Sequence, residues 1–350
     1  MYSEFRTEVE RGMAGENVGM EVSLGPEFEL AGFSRLAKAF SFGPKKYVSL
    51  GAPGGVGKTS LTLYRFIFIP IWTYLKQQSK FNPYFIYHLT ERQRVYMEAK
   101  LLAMIIYIQD REVYDVPTML QQGNKTRELN DADLARFDKY GPILDKMSRH
   151  IHWHVGPATL ESTDLIQKDH LKATKGKDLL VGHFTDHVNN ITQDGMSEKQ
   201  ILDQHSDRMK FYRDIHHWFC FDISQFSREI ENDYRVLKRG VRVKKSDWFG
   251  SSKFQMNCDL MLGLVDPRDY DVNKYQCESG DKDYYDLFET TNERGFNRFR
   301  ALWIAKNSDG MHSRYIPIAF AGESGISSEL PVVYKVDSRM YEKIRSGLFI

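Results

Sequence analysis

Along the chain, short apolar runs alternate with longer stretches in which apolar residues recur every three or four positions. The runs at 47–51, 84–89, 150–155, 179–185, 218–224, 260–265, 301–306 and 315–320 have strand length. The periodic stretches at 58–75, 91–108, 131–149, 162–174 and 197–216 predict helices. Nearly continuous apolar strands separated by helices imply an α/β fold with a mainly parallel central sheet and helices on both faces. The last three strands lie close together without long helices between them, which predicts an antiparallel C-terminal extension. Segment 27–42 is amphipathic and precedes the first strand. Residues 1–26 therefore read as an N-terminal arm or linker helix, 27–323 as one α/β domain, and 324–350 as a C-terminal tail.

The junction of the first strand and first helix carries the chemistry. It reads Gly51-Ala52-Pro53-Gly54-Gly55-Val56-Gly57-Lys58-Thr59-Ser60. From Ala52 onward this matches the relaxed P-loop pattern [AG]xxxxGK[ST], in the strand–loop–helix context that the pattern requires. Gly54, Gly55 and Gly57 let backbone N–H groups, with those of Val56 and Ser60, turn toward phosphate oxygens. The helix N-terminus adds partial positive charge. Lys58 reaches the β- and γ-phosphates, and the Thr59 hydroxyl ligates Mg²⁺. ATP and Mg²⁺ are the expected ligands. Hydrolysis also needs an acid to orient the metal and a base for water. Asp186, at the end of the apolar run 179–185, is the candidate for the first role. Glu91, just past the run 84–89, is the candidate for the second.

Composition sets bounds on this reading. The 350 residues are 41% hydrophobic and 27% charged, with a net charge of +1, as in an ordinary globular protein. Cys220, Cys258 and Cys277 show no paired spacing, which argues for a reducing compartment and against a disulfide framework or cysteine zinc site. No secretory signal pattern is seen, and the most apolar run, 61–75, is broken by Arg65 and Pro70. No membrane partner is expected, and the expected location is cytoplasmic (a host's cytoplasm, if the source is a virus). Basic residues crowd at Arg235, Lys238, Arg239, Arg242, Lys244 and Lys245, the first place to look for a polyanion contact.

Further motifs, in order, resemble the ATPase domain of the DnaB-like replicative hexameric helicases, which includes phage primase-helicases and has a RecA-like fold. The resemblance spans roughly 27–320 as spaced motifs. After the P-loop comes the strand ending in Thr90-Glu91, where the family places its catalytic glutamate; a stricter register puts Thr90 there. Thr185-Asp186-His187-Val188 resembles the family's acid after the second core strand, with His183 as the alternative register. Asp222-Ile223-Ser224-Gln225 resembles the strand that ends in a γ-phosphate-sensing glutamine, here Gln225. Ser246-Asp247-Trp248-Phe249-Gly250-Ser251-Ser252-Lys253, leading through Gln255 to Asp259, resembles the channel loop that holds single-stranded DNA. Gly250 would allow close approach, while Ser251, Ser252 and Lys253 supply phosphate donors. Finally, Ala305-Lys306-Asn307-Ser308 resembles the segment whose Lys and Arg reach a neighbour's γ-phosphate. Lys306 fits that pattern, but Ser308 stands where the family has arginine, and Arg314 or Arg300 are the possible substitutes.

The resemblance implies an ATP-driven, ring-forming DNA helicase motor, a homo-hexamer on single-stranded DNA. Its sites would lie between subunits, and a primase or helicase loader would be a partner. It also suggests a phage or plasmid replisome. A recombinase-like or clock-like ring ATPase without unwinding activity is the alternative. Three side features remain. His150, His152 and His154 share one strand face, a spacing open to metal binding or to a plain polar face. His216 and His217 fit a helix end. Trp248 and Phe249, beside the Gly-Ser loop, are candidates either for base stacking or for the core.

Overall fold

The computed structural model describes residues 6–7, 9–10, 34–40, 42–79, 81–227, 230, 241–248, 252–276, 284–308, 310 and 314–348. Most of the N-terminal arm, Phe249, Gly250 and Ser251 of the predicted DNA loop, and Arg235, Lys238 and Arg239 of the basic stretch lie outside these residues.

All eight predicted strands form, and a ninth joins them. In chain order they are β1 (Lys46–Ala52), β2 (Pro83–Leu89), β3 (Ile151–Val155), β4 (Leu180–Asp186), β5 (Phe219–Gln225), β6 (Leu260–Val265), β7 (Phe299–Asn307), β8 (Arg314–Ala321) and β9 (Ile326–Glu329). They pair in the order β9-β8-β7-β6-β1-β5-β4-β2-β3. Strands β3, β2, β4, β5, β1 and β6 run parallel, and β7, β8 and β9 extend the sheet antiparallel. Strand β6, expected within the antiparallel extension, is the junction. It is parallel to β1 on one side and antiparallel to β7 on the other. Central strands are buried along nearly their whole length, as a sheet covered on both faces demands.

The helix after the P-loop is continuous but not uniform. An α segment (Lys58–Thr62) passes into π geometry over Leu63–Phe68 and returns to α over Ile69–Leu75. The wide turns come just before Pro70, whose ring and missing N–H do not fit a regular α ladder. The other long helices are α1 (Arg94–Asp110), α2 (Asp131–Ser148), α3 (Leu160–Thr174) and α4 (Glu198–His216). Side-chain capping boxes at Asn130, Thr159 and Ser197 set the starts of α2, α3 and α4. The Thr159 cap starts α3 two residues before the start expected from periodicity.

Beyond residue 323, the segment predicted as a tail carries β9 and a further helix, α5 (Ser338–Ser346). It is fastened to the body: Tyr107 Oη donates to the Gly347 carbonyl at 2.8 Å, and Arg298 Nε donates to the Arg345 carbonyl at 3.0 Å. Glu329, at the end of β9, accepts from the backbone N–H groups of Arg35 and Leu36, each at 3.0 Å.

Two of the open side features become clear. His152 and His154 do share a face, but they pack against Tyr84 and His170 of α3. Tyr84 Oη and His170 Nδ1 share a hydrogen bond of 2.7 Å, and His154 Nε2 and His170 Nε2 another of 2.7 Å. Among the described residues, no group of three His, Cys, Asp or Glu is arranged to hold a metal ion. Trp248 is core and not a free stacking face. Its indole donates to Ser49 Oγ at 2.9 Å, and its ring meets Phe226 edge-on. No helix of the described residues is long and apolar enough to cross a membrane.

Candidate functional site

At the strand-end edge of the sheet, β1 stops at Ala52 and the chain turns through Pro53–Gly57 into the phosphate helix. Gly57 sits at φ +106°, and a Cβ there would fall 2.4 Å from the Phe320 ring. Only glycine fits that close, left-handed position. The loop is also held from below. Arg300 Nε donates to the Val56 carbonyl at 3.0 Å, while its guanidinium pairs with Asp266 at 2.6 Å and lies over the Phe320 ring. Arg300 is therefore a buried brace of its own P-loop and cannot serve as a substitute finger toward a neighbour.

The P-loop opens onto a cavity of about 290 Å³. Lys58 lies in it, its ammonium donating to the Pro53 carbonyl at 3.1 Å. Burial pushes the Lys58 ammonium below the usual lysine range, while Asp186 and Glu91 pull the other way. Asp186 ends β4 just behind Thr59 and His187, which line the cavity. Burial raises its carboxyl above the ordinary value. His187, a hydrogen bond from Thr59 and the Tyr87 hydroxyl at 3.3 Å oppose that rise, and Glu91 adds to it. The Asp186 Oδ1 atom accepts no hydrogen bond, although His187 Nε2 lies 3.1 Å away. A buried carboxylate oxygen left in that state beside a threonine hydroxyl fits a divalent cation. His183, the alternative register, is buried mid-strand with Nδ1 3.2 Å from the Met209 sulfur and does not line the cavity.

Glu91 is placed differently from the first-turn position that periodicity suggests. Helix α1 begins at Arg94 with Gln93 as its N-cap, so Glu91 stands in the bend after β2. Its carboxylate accepts from Asn190 Nδ2 at 3.1 Å and lies 3.4 Å from His187 Nε2, with its open side toward the cavity. Thr90, the competing register, is already engaged. Its hydroxyl donates to the Asp186 carbonyl at 2.8 Å and accepts from the His187 N–H at 2.9 Å and from Asn190 Nδ2 at 3.0 Å. It clips β2 to β4. Gln225 ends β5 with its side chain exposed, and its backbone N–H donates to Asn189 Oδ1 at 2.9 Å. It lines the phosphate cavity and a neighbouring one of about 200 Å³ beside Val188 and Leu202.

The structure thus brings together Lys58, Thr59, Ser60, Glu91, Asp186 and Gln225. It does not bring Lys306, Arg314, Ser252 or Lys253 to them. Strand β7 runs antiparallel, so Arg300 is at the P-loop end, while Lys306 pairs with Met261 near the start of β6. The Lys306 ammonium points farther away, donating to the carbonyls of Gln255 at 2.8 Å, Met256 at 3.1 Å and Cys258 at 2.5 Å. There it closes the C-terminal end of the short helix Ser252–Asn257. Burial lowers its pKa, with Cys258 and Asp259 opposing. Arg314 pairs with Ile304 and is exposed at the start of β8. Lys253 pairs with Asp207 of α4 at 2.6 Å.

Two resembling motif residues are structural within this chain. Asp222 is buried mid-strand, accepting from the Tyr47 hydroxyl at 2.5 Å and lying 3.0 Å from His205 Nε2. Asp259 accepts from the Tyr47 N–H at 2.8 Å and from Arg213 at 2.9 Å, which fixes where β6 begins.

Sequence reasoning missed Arg92, Tyr96 and Lys100, which also line the cavity. Their signal was available. They recur at four-residue spacing directly after Glu91, so one face of the helix carries them toward the P-loop.

No protein-family model matches the sequence, and no curated protein is similar to it in sequence. In three dimensions it is similar to a solved helicase ATPase domain, with TM-score 0.64 and 16% identity, covering 95% of this chain and 99% of that one. It is likewise similar to a DnaB-like replicative helicase whose structure was described together with its interactions with primase. The TM-score there is 0.65 and the identity 16%, covering 95% of this chain and 67% of that one. At this identity the likeness establishes the fold, a RecA-like α/β domain of the kind found in those ATPase domains.

Proposed function

We propose that this chain, with the fold of DnaB-like helicase ATPase domains, is an ATP-hydrolysing replicative helicase motor. One observation carries the reading: a phosphate-type loop, a buried acid with an unpartnered oxygen, a positioned carboxylate and a strand-end glutamine converge on one cavity. In this reading Lys58 and the loop N–H groups hold the β- and γ-phosphates of ATP. Thr59 and Asp186 would hold Mg²⁺, which when bound neutralises charge on the phosphate oxygens. Glu91, oriented by Asn190 and His187, accepts the proton of the attacking water. The bond between the γ-phosphorus and the bridging oxygen breaks, and ADP leaves with that electron pair. Gln225, between two cavities, senses the γ-phosphate and passes its presence toward the DNA side.

Lys306 points away from its own P-loop, so any phosphate it touches belongs to another copy. We therefore infer a ring, a homo-hexamer, with Lys306 and Arg314 presented to a neighbour. Single-stranded DNA would run along Gly250, Ser251, Ser252 and Lys253. A primase or loader is the expected partner, and the cytoplasm the expected location.

The test is ATP turnover with and without single-stranded DNA, followed by unwinding of a forked duplex, for wild type and Lys58→Ala. DNA-stimulated turnover and unwinding, both lost in Lys58→Ala, are expected. Turnover indifferent to DNA with no unwinding would instead indicate a recombinase-like or clock-like ring ATPase.

A further inference from the structure

Lys100 is an oddly placed cation. It lies on α1, which is otherwise a core helix, and is almost fully buried. Its ammonium donates to the hydroxyl of Ser60, on the first turn of the phosphate helix. That partner is neutral. A buried ammonium without a counter-charge is costly to maintain, so the fold is expected to supply one or to leave room for one. Here it leaves room, since Lys100 borders the phosphate cavity. The wall beyond it is also cationic: Arg92 lies 4.9 Å and Lys100 5.7 Å from the centre of the Tyr96 ring. Burial, and secondarily Arg92, push the Lys100 ammonium down to about 8, with Asp186 opposing. A bound anion would reverse both causes.

Position selects which part of the nucleotide is met. Glu91, Asp186 and Gln225 mark the γ-phosphate end. The loop N–H groups serve the α- and β-phosphates, and Lys58 the β and γ. Ser60 follows Thr59 on the helix, and Gly325 lies beyond it, 3.5 Å from the Ser60 Cβ for an ideal added Cβ.

We propose that Lys100 is a second, cis-acting phosphate lysine of this site, which meets the α- and β-phosphates beside Ser60, with Arg92 and Tyr96 forming the wall behind it. The assignment rests on the ATPase reading above. It places cationic charge within the chain itself, where the trans side carries Ser308 in place of an arginine.

The experiment is calorimetric binding of MgATP and of MgADP to wild type, Lys58→Ala, Lys100→Met and Lys100→Arg, with Tm recorded without nucleotide. Lys100→Met should weaken both nucleotides about 10- to 100-fold and to a similar degree, as loss of a charge-assisted contact shared by both predicts. Lys100→Arg should recover most of the affinity. The Tm of Lys100→Met should stay level or rise, because a buried charge has gone. Wild-type affinity in Lys100→Met, alongside a loss in Lys58→Ala, would overturn this assignment alone. So would a loss confined to ATP, or a loss that comes with a lowered Tm and no recovery in Lys100→Arg. Wild-type protein that binds neither nucleotide would overturn the ATPase reading and this assignment with it.

Discussion

The two edges of the central sheet treat their polar groups in opposite ways. At the strand-end edge, groups are buried but incompletely served. Asp186 Oδ1 has no hydrogen bond, Lys58 donates to a single described carbonyl, and Lys100 has only a neutral hydroxyl. At the strand-start edge, Lys306 has three carbonyls, Lys253 has Asp207, and Asp259 has both Arg213 and the Tyr47 N–H. Buried polar groups in folded proteins are normally satisfied. A cluster that is not marks the place where a ligand completes the structure, and a satisfied cluster needs none from within its own chain. Cations at the second edge can act only on something outside the chain, and only by giving up bonds they already have.

That contrast can be broken by measurement. The largest expected effect is at the first edge. Glu91→Gln should lower ATP turnover by about 10²–10⁴-fold, the range for a lost general base, with MgATP affinity by calorimetry nearly unchanged. Thr90→Val should instead lower stability, since its hydroxyl ties β2 to β4. The opposite pattern would move the base to Thr90.

Trp248→Ala comes next. A buried tryptophan removed from between Gly51 and Phe226 should cost about 3–5 kcal/mol in denaturant unfolding. Full stability with weakened single-stranded DNA binding would return Trp248 to the DNA path.

Lys306→Met tests the second edge directly. Turnover of the assembled protein should fall by at least about tenfold, toward the 10³-fold reached by trans-acting cations, while nucleotide affinity measured on separated subunits stays the same. Stability should fall by about 1–2 kcal/mol as the carbonyls of the short helix lose their donor. Affinity lost in separated subunits would place Lys306 in its own site and erase the contrast.

The smallest effect calibrates the others. Asp133 is buried and fully engaged, accepting from Arg127 Nη1 at 2.6 Å and Nη2 at 2.8 Å, from Tyr114 at 2.5 Å and from the Asn130 N–H at 2.9 Å. Arg127 first, then Tyr114 and Asn130, hold its carboxyl well below the usual range against the effect of burial. Its folded pKa is thus below its unfolded value near 4. The stabilisation is full above about pH 4 and is lost as pH falls further. Asp133→Asn should cost about 1–3 kcal/mol at neutral pH, and the cost should shrink in acid. A cost independent of pH would show that the carboxylate charge is not what matters there.

Much of this was legible from the chain. Strands buried on both faces announce themselves as apolar runs, and the P-loop is a local motif whose glycines, lysine and threonine lie next to one another. Glu91 and Asp186 could be named because the ends of parallel strands face one edge. Strand β9 was not legible. Ile326-Ser327-Ser328-Glu329 has no strand pattern and is extended because β8 offers an open edge to pair with. Trp248 was ambiguous for a similar reason: beside a glycine–serine stretch it reads equally as loop or core. Only the packing reveals that Gly51 lacks the Cβ that would lie 2.6 Å from its ring.

The sequence by itself determined the elements, their order and the phosphate loop, because those depend on periodicity and on adjacent residues. Tertiary structure decided which side chains share a space. It carried Lys100 from forty residues downstream onto Ser60, and it spent Arg300 on bracing the P-loop. It also turned Lys306 to the far edge, because an antiparallel strand reverses which end of the sheet a residue reaches.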